Sequence, residues 1–183
     1  MERNERRSVA LIGFMGTGKT TVGKRLARRL AYQFIDSDIE IEQRTGIAVR
    51  TIFQEQGEVA FRRLESETLA TIAPQPRQVI STGGGAVLQP VNAELLRANC
   101  MVVWLTASPG VILKRVGTAE TRPLLAHATD PLGHIRRLLD ARMRFYEAAA
   151  HLRVDTTDRR PEAVAEEIAH LYESWGKRPS PSA

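Results

Sequence analysis

The 183 residues hold a single cysteine, Cys100, which excludes an intrachain disulfide and any metal site built from cysteines. The four histidines, His127, His134, His151 and His170, show neither an H-E-x-x-H motif nor the spacing of paired ligands, so they read as packing or surface residues. No apolar run approaches the roughly 20 residues that cross a bilayer, and the charged start Met1–Arg7 lacks the apolar region of a secretory signal. A cytoplasmic protein with no membrane partner is expected. The chain has no lysine-rich tail and no alternation of aromatic with basic residues. Its net charge of +5 and isoelectric point near 9.9 would otherwise suggest nucleic acid. Acidic residues are interleaved through the helical segments, as at Glu40, Glu42, Glu65, Glu67 and the pair Glu166-Glu167, so no nucleic-acid partner is expected. Nearly all the cations are arginine, a planar fork for carboxylates and phosphates, which suits a pocket for two small anions.

What the chain does have is Gly13 to Thr20, Gly-Phe-Met-Gly-Thr-Gly-Lys-Thr, which fills the pattern G-x-x-x-x-G-K-[ST] directly after the apolar run Val9–Ile12. Behind it, Lys19 to Ala31 places Val22, Leu26, Ala27 and Leu30 at helical spacing. A strand, a glycine loop and a helix in that order put unpaired amides and the positive end of a helix dipole in front of a phosphate. Gly16, Thr17, Gly18, Lys19, Thr20 and Thr21 are therefore candidate residues for binding a nucleoside triphosphate, with Lys19 on the β and γ phosphates and Thr20 on Mg²⁺. The loop alone does not separate a kinase from an ATPase, a GTPase or a motor.

At this length, with 43% apolar residues, one core and one domain are expected. Apolar, β-rich stretches at Val9–Phe14, Gln33–Ile35, Gln78–Ser81, Met101–Thr106 and Leu152–Val154 alternate with helical segments, which predicts an α/β fold: a five-stranded, mostly parallel sheet flanked by helices. Ile39–Ile72 reads as a long helical stretch broken near Gly46 and Gly57, projecting from the sheet edge as a substrate-binding region over about residues 36–65. Gly117–Gly133 has weak periodicity and reads as a mobile lid. The domain is expected to span residues 1–175, with Gly176–Ala183 a disordered tail.

Four further patterns carry chemistry. Asp36-Ser37-Asp38 follows the second strand, where two carboxylates spaced two apart would face one crevice and could take a proton or support a metal through water; capping of a helix starting at Ile39 is the competing reading. Thr82-Gly83-Gly84-Gly85 follows the third strand, as expected where a backbone approaches a ligand or takes positive φ, or simply in a tight turn. Arg62 and Glu65 lie three apart on one helix face, so the carboxylate can hold the guanidinium. Arg142 sits on a helix beginning near Gly133 or His134, and Arg122 precedes Pro123 in the lid; for any one arginine alone, a solvated surface residue is the favoured reading.

Taken in order, the phosphate loop, Asp36-x-Asp38, Phe61-Arg62-x-x-Glu65, Gly83-Gly84-Gly85, Thr121-Arg122-Pro123-Leu124-Leu125 and Arg142-x-x-x-Tyr146 closely resemble shikimate kinase over Val9–Pro161. The resemblance implies a P-loop fold like the nucleoside monophosphate kinases and a monomer that transfers the γ-phosphate of ATP to the 3-hydroxyl of shikimate, with Mg²⁺, in aromatic amino-acid biosynthesis. It also implies roles. Lys19, Asp38 and Arg122 would be catalytic, with Asp36 supporting through water the metal that Thr20 binds. Asp38, Phe53, Phe61, Arg62, Gly83, Gly84, Gly85 and Arg142 would bind shikimate, the two arginines on its carboxylate, and Arg115 and Arg159 would flank the adenine. The chain departs from the family pattern at Arg144, where proline usually stands. A kinase for another polyol acid, such as gluconate, and a catalytically idle nucleotide-binding module are the rival readings.

Overall fold

The computed structural model describes residues 7–116 and 130–175. Arg122 and most of the expected lid lie outside the described residues, as does the tail.

Five strands form one sheet in the order β2-β3-β1-β4-β5: β1 Ser8–Ile12, β2 Gln33–Asp36, β3 Gln78–Ser81, β4 Cys100–Thr106 and β5 Leu152–Asp155. Every pairing is parallel, so the sheet is wholly rather than mostly parallel. The central β1 and β4 are continuous apolar runs because helices cover both of their faces. On one face, α1 (Lys19–Leu30) packs beside α7 (Pro161–Trp175) over Val9, Leu11, Val103 and Leu105. On the other, α3 (Val49–Ile72), α4 (Pro90–Asn99) and α6 (Pro131–Ala149) cover Ala10, Ile12, Ile80 and Val102. The short α5 (Pro109–Val116) packs with α6 against Phe14 of the phosphate loop. No described helix is long and apolar enough to cross a membrane.

From the edge strand β2 the chain enters α2 (Ser37–Thr45), which packs on α3 through a small core of its own, Ile41, Ile52 and Phe61. The breaks expected at two glycines are there: Gly46 closes α2 at φ 71°, and Gly57 interrupts α3 at φ 82°, ψ 173°. Two helix starts fall earlier than their periodicity implies. Helix α2 begins at Ser37, not Ile39, because the Asp36 carboxylate accepts a bond from the Asp38 amide at 3.2 Å and caps it. Helix α6 begins at Pro131, not at Gly133 or His134, because Asp130 accepts from the Gly133 amide and proline suits the first helical position. Arg144 sits inside α6, which continues unbroken to Ala149.

His151 ties β5 to β4. Its Nδ1 accepts the Val102 amide at 3.0 Å, and its ring lies 5.4 Å from that of Trp175. Burial first, then the charges of Arg97 and Arg7, push the imidazole down to about 4. Folding therefore keeps His151 neutral, so its contribution is complete above the unfolded pKa near 6.5 and is lost as pH falls toward 4. Discounted for the solvent that reaches the ring, the loss is about 1–2 kcal/mol. Urea unfolding at pH 7 and pH 5 should show that loss in the parent and a flatter dependence in His151→Gln, whose amide oxygen can accept the same bond without titrating.

Candidate active site

At the carboxyl ends of the strands lies a crevice of about 690 Å³, lined at one end by the phosphate loop and α1 and at the other by Asp36, Asp38 and the Gly83–Gly84 turn. This is where open α/β sheets bind ligands. The loop crosses from β1 to α1 through Gly16 at φ 75° and Gly18 at φ 93°, left-handed conformations that side chains resist. The Lys19 ammonium folds over the loop, donating to the carbonyls of Gly13 at 2.9 Å and Phe14 at 3.0 Å. Thr20 donates to Asp36 Oδ2 at 3.0 Å and lies 3.4 Å from the Ser81 hydroxyl. Ser81 was not singled out from sequence; its position as the last residue of β3, facing the strand end of Asp36, was the available signal.

Asp36 and Asp38 both face the crevice, though not for the expected reason. Only Asp36 belongs to the strand, and Asp38 is already in the first turn of α2, so the helix start rather than strand alternation turns it inward. Asp38 Oδ1 is shut away from solvent with no hydrogen-bond partner among the described residues. Burial first, then Asp36, raises the Asp38 carboxyl above its ordinary range, while Lys19 and Arg62 pull it down.

Arg62 reaches the same end of the site from α3. Its guanidinium donates to Glu65 Oε2 at 2.8 Å and to Glu58 Oε1 at 3.0 Å, the pairing that the three-residue spacing implied. The Glu65 side chain is fully buried, and that burial raises its carboxyl despite Arg62. The glycine turn is built around these groups. None of Gly83, Gly84 and Gly85 has positive φ; close approach is what requires them. A β-carbon on Gly85 would stand 2.5 Å from the Arg62 guanidinium, and one on Gly83 would stand 2.5 Å from Glu65 Oε1 and 3.1 Å from Asp38 Oδ1. Phe61 is 3% exposed, while Phe53 packs on it with ring centroids 4.4 Å apart at 33° and is 36% exposed, so of the two rings Phe53 is the more open to solvent.

Arg142, on α6, lies over the Phe14 ring, 5.6 Å from its centroid. One turn on, Tyr146 donates to the Gly84 carbonyl. At the opposite end of the crevice Arg115 donates to Thr156 Oγ1 at 2.9 Å, to the Thr156 carbonyl at 2.7 Å and to the Gly16 carbonyl at 3.3 Å. Thr156 in turn donates to the Thr17 carbonyl, so the loop after β5 is bound to the phosphate loop. Arg159 lines the same end, tied to the Asp155 carbonyl and to Glu167. Thr156 was not singled out from sequence, and Tyr146 stood there only within Arg142-x-x-x-Tyr146 without a role of its own; these contacts give both a place.

The crevice thus brings together a triphosphate cradle and paired carboxylates, with the half-buried Arg62 against its glycine turn. A family model described as shikimate kinase matches residues 15–173. The shikimate kinase of Moorella thermoacetica is 45% identical over 168 residues, 92% of this chain and 95% of that protein. That of Geobacter sulfurreducens is 48% identical over 163 residues, 89% of each. Among solved structures, the shikimate kinase from Acinetobacter baumannii in complex with shikimate superposes with a TM-score of 0.88 at 37% identity, covering 94% of this chain and 96% of that one. The Aquifex aeolicus enzyme gives 0.78 at 34%, covering 91% and 96%. On these grounds the chain belongs to the shikimate kinase family.

Proposed function

We propose that the protein is a working shikimate kinase that transfers the γ-phosphate of ATP to the 3-hydroxyl of shikimate, giving shikimate 3-phosphate and ADP on the chorismate route to aromatic amino acids. The observation that carries this reading is that Asp38 and the Gly83–Gly84 turn line the crevice that the phosphate loop opens into, with the Arg62 guanidinium set against the same turn at Gly85. The loop amides from Gly16 to Thr21 hold the phosphates, and Lys19 swings from its carbonyl contacts to neutralise the β and γ groups. Arg115 and Arg159 border the base. Arg62, held by Glu65, and Arg142 grip the carboxylate of shikimate; Phe53 lies against its ring, and Gly83, Gly84 and Gly85 let it approach the backbone. Asp38, one of whose oxygens has no partner among the described residues, aligns the attacking hydroxyl and takes its proton. Arg122 is assigned to the transferring phosphoryl group by the family resemblance.

The donor set fits Mg²⁺: the Thr20 hydroxyl, the Asp36 carboxylate 3.0 Å from it and the Ser81 hydroxyl are hard oxygens that leave the remaining positions to water and phosphate. Thr20, Asp36 and Ser81 would hold the ion there, and its charge would offset that of the phosphates. We further read the protein as a cytoplasmic monomer with a single domain over residues 1–175, without nucleic-acid partners.

An ADP-release assay with ATP and Mg²⁺, run in parallel with shikimate, gluconate and no acceptor, tests the reading. Release that depends on shikimate is expected. Release with gluconate alone would overturn the substrate, and ATP binding without release in any arm would make the chain a nucleotide-binding module.

A further inference from the structure

One member of Arg142-x-x-x-Tyr146 still lacks a role. Tyr146 follows Arg142 by one helical turn, so both side chains leave the same face of α6. Its ring is 1% exposed and stacks on Trp104, with centroids 5.7 Å apart at 22°. Packing of that kind needs only a phenyl ring. The hydroxyl does more: it donates to the Gly84 carbonyl at 2.5 Å, beside the phosphate loop whose Phe14 ring lies under Arg142. A phenol both donates and accepts, so spending its proton on Gly84 leaves its lone pairs for the guanidinium. Gly84 lies against the phosphate loop, where a β-carbon would come 3.4 Å from the Met15 amide nitrogen.

The two carboxylate-binding arginines are held differently. Arg62 is gripped by Glu65 and Glu58. Arg142 makes no ion pair among the described residues; it lies over the Phe14 ring, one helical turn before Tyr146. A neutral partner orients the guanidinium without neutralising it, which leaves the full charge for an incoming anion.

We propose that Tyr146 is a positioning residue for the acceptor: its hydroxyl, anchored on the Gly84 carbonyl, holds Arg142 where it meets the acceptor's carboxylate. The inference rests on the assignment of Arg142 to that carboxylate.

Tyr146→Phe keeps the ring and removes only the oxygen. Its KM for shikimate should rise about three- to tenfold, the loss of one buried hydrogen bond, with KM for ATP unchanged. A shikimate analogue whose carboxylate is replaced by hydroxymethyl makes no demand on Arg142, so the substitution should change its kcat/KM by less than about twofold. An equal loss with both acceptors, or a loss shared with ATP, overturns the proposal and leaves Tyr146 a packing residue. Arg142→Leu separates the two layers. If it raises KM for shikimate while Tyr146→Phe does not, the inference fails alone; if it leaves KM unchanged, the carboxylate assignment fails and the inference with it. The parent protein supplies a readout that needs no variant. The Tyr146 hydroxyl proton should appear as a slowly exchanging resonance that shifts on adding shikimate, and a resonance that stays in place overturns the proposal.

Discussion

Replacing Asp38 by asparagine is expected to lower turnover with shikimate by about 10²- to 10⁴-fold, the usual loss when a positioned proton acceptor is removed, while ATP affinity stays close to that of the parent. The amide keeps the shape of the carboxylate and an oxygen that can still accept a bond, but it cannot take a proton. Because burial and Asp36 raise the Asp38 carboxyl, the acid limb of kcat/KM should lie above the ordinary carboxylate range and vanish in the variant. Stability moves the other way. A carboxyl with a folded pKa above its unfolded value binds its proton better when folded, so stability falls as pH rises through that range and the ionised group is a burden at neutral pH. Asp38→Asn should therefore melt no lower than the parent at pH 7. Near-parental turnover would remove Asp38 from the reaction, and a lowered melting temperature would trace the lost activity to the fold.

Arg62→Leu should raise KM for shikimate roughly thirty- to hundredfold, the worth of a charge-assisted contact to a carboxylate, without altering KM for ATP. It should also destabilise. The Glu65 side chain is 0% exposed and Arg62 is its ion-pair partner, so the variant strands a buried carboxyl at a cost of about 3–5 kcal/mol. The two effects can be separated. Replacing both members, Arg62→Leu with Glu65→Leu, removes the stranded charge and should recover most of the melting temperature while affinity for shikimate stays low. Recovery of affinity in the double variant, or unchanged affinity in the single one, would take Arg62 out of the carboxylate grip.

Within the described residues, the features legible in sequence were those that neighbours along the chain decide. Gly13 to Thr20 announces a phosphate loop because positive-φ glycines, a strand before and helical spacing after are all local requirements. The breaks at Gly46 and Gly57 and the Arg62–Glu65 pair were legible for the same reason. Even locally, a capping side chain outweighed periodicity: Asp36 starts α2 two residues early and so carries Asp38 from strand into helix. The glycines of the Gly83–Gly85 turn were compatible with positive φ or with close approach, and only the packing of α2 and α3 around the turn after β3 selected the latter, by setting Asp38, Glu65 and Arg62 against them. Ser81 beside Thr20, Thr156 beneath Arg115 and Tyr146 beneath Gly84 likewise meet partners far away in sequence. The sequence by itself determined the strand and helix order and the phosphate cradle, because hydrogen bonds, caps and side-chain periodicity act over a few residues. Tertiary structure decided which carboxylates lose water, which glycines must stay bare and which hydroxyl faces which arginine, because burial and contact depend on elements that meet only once the sheet is covered on both faces.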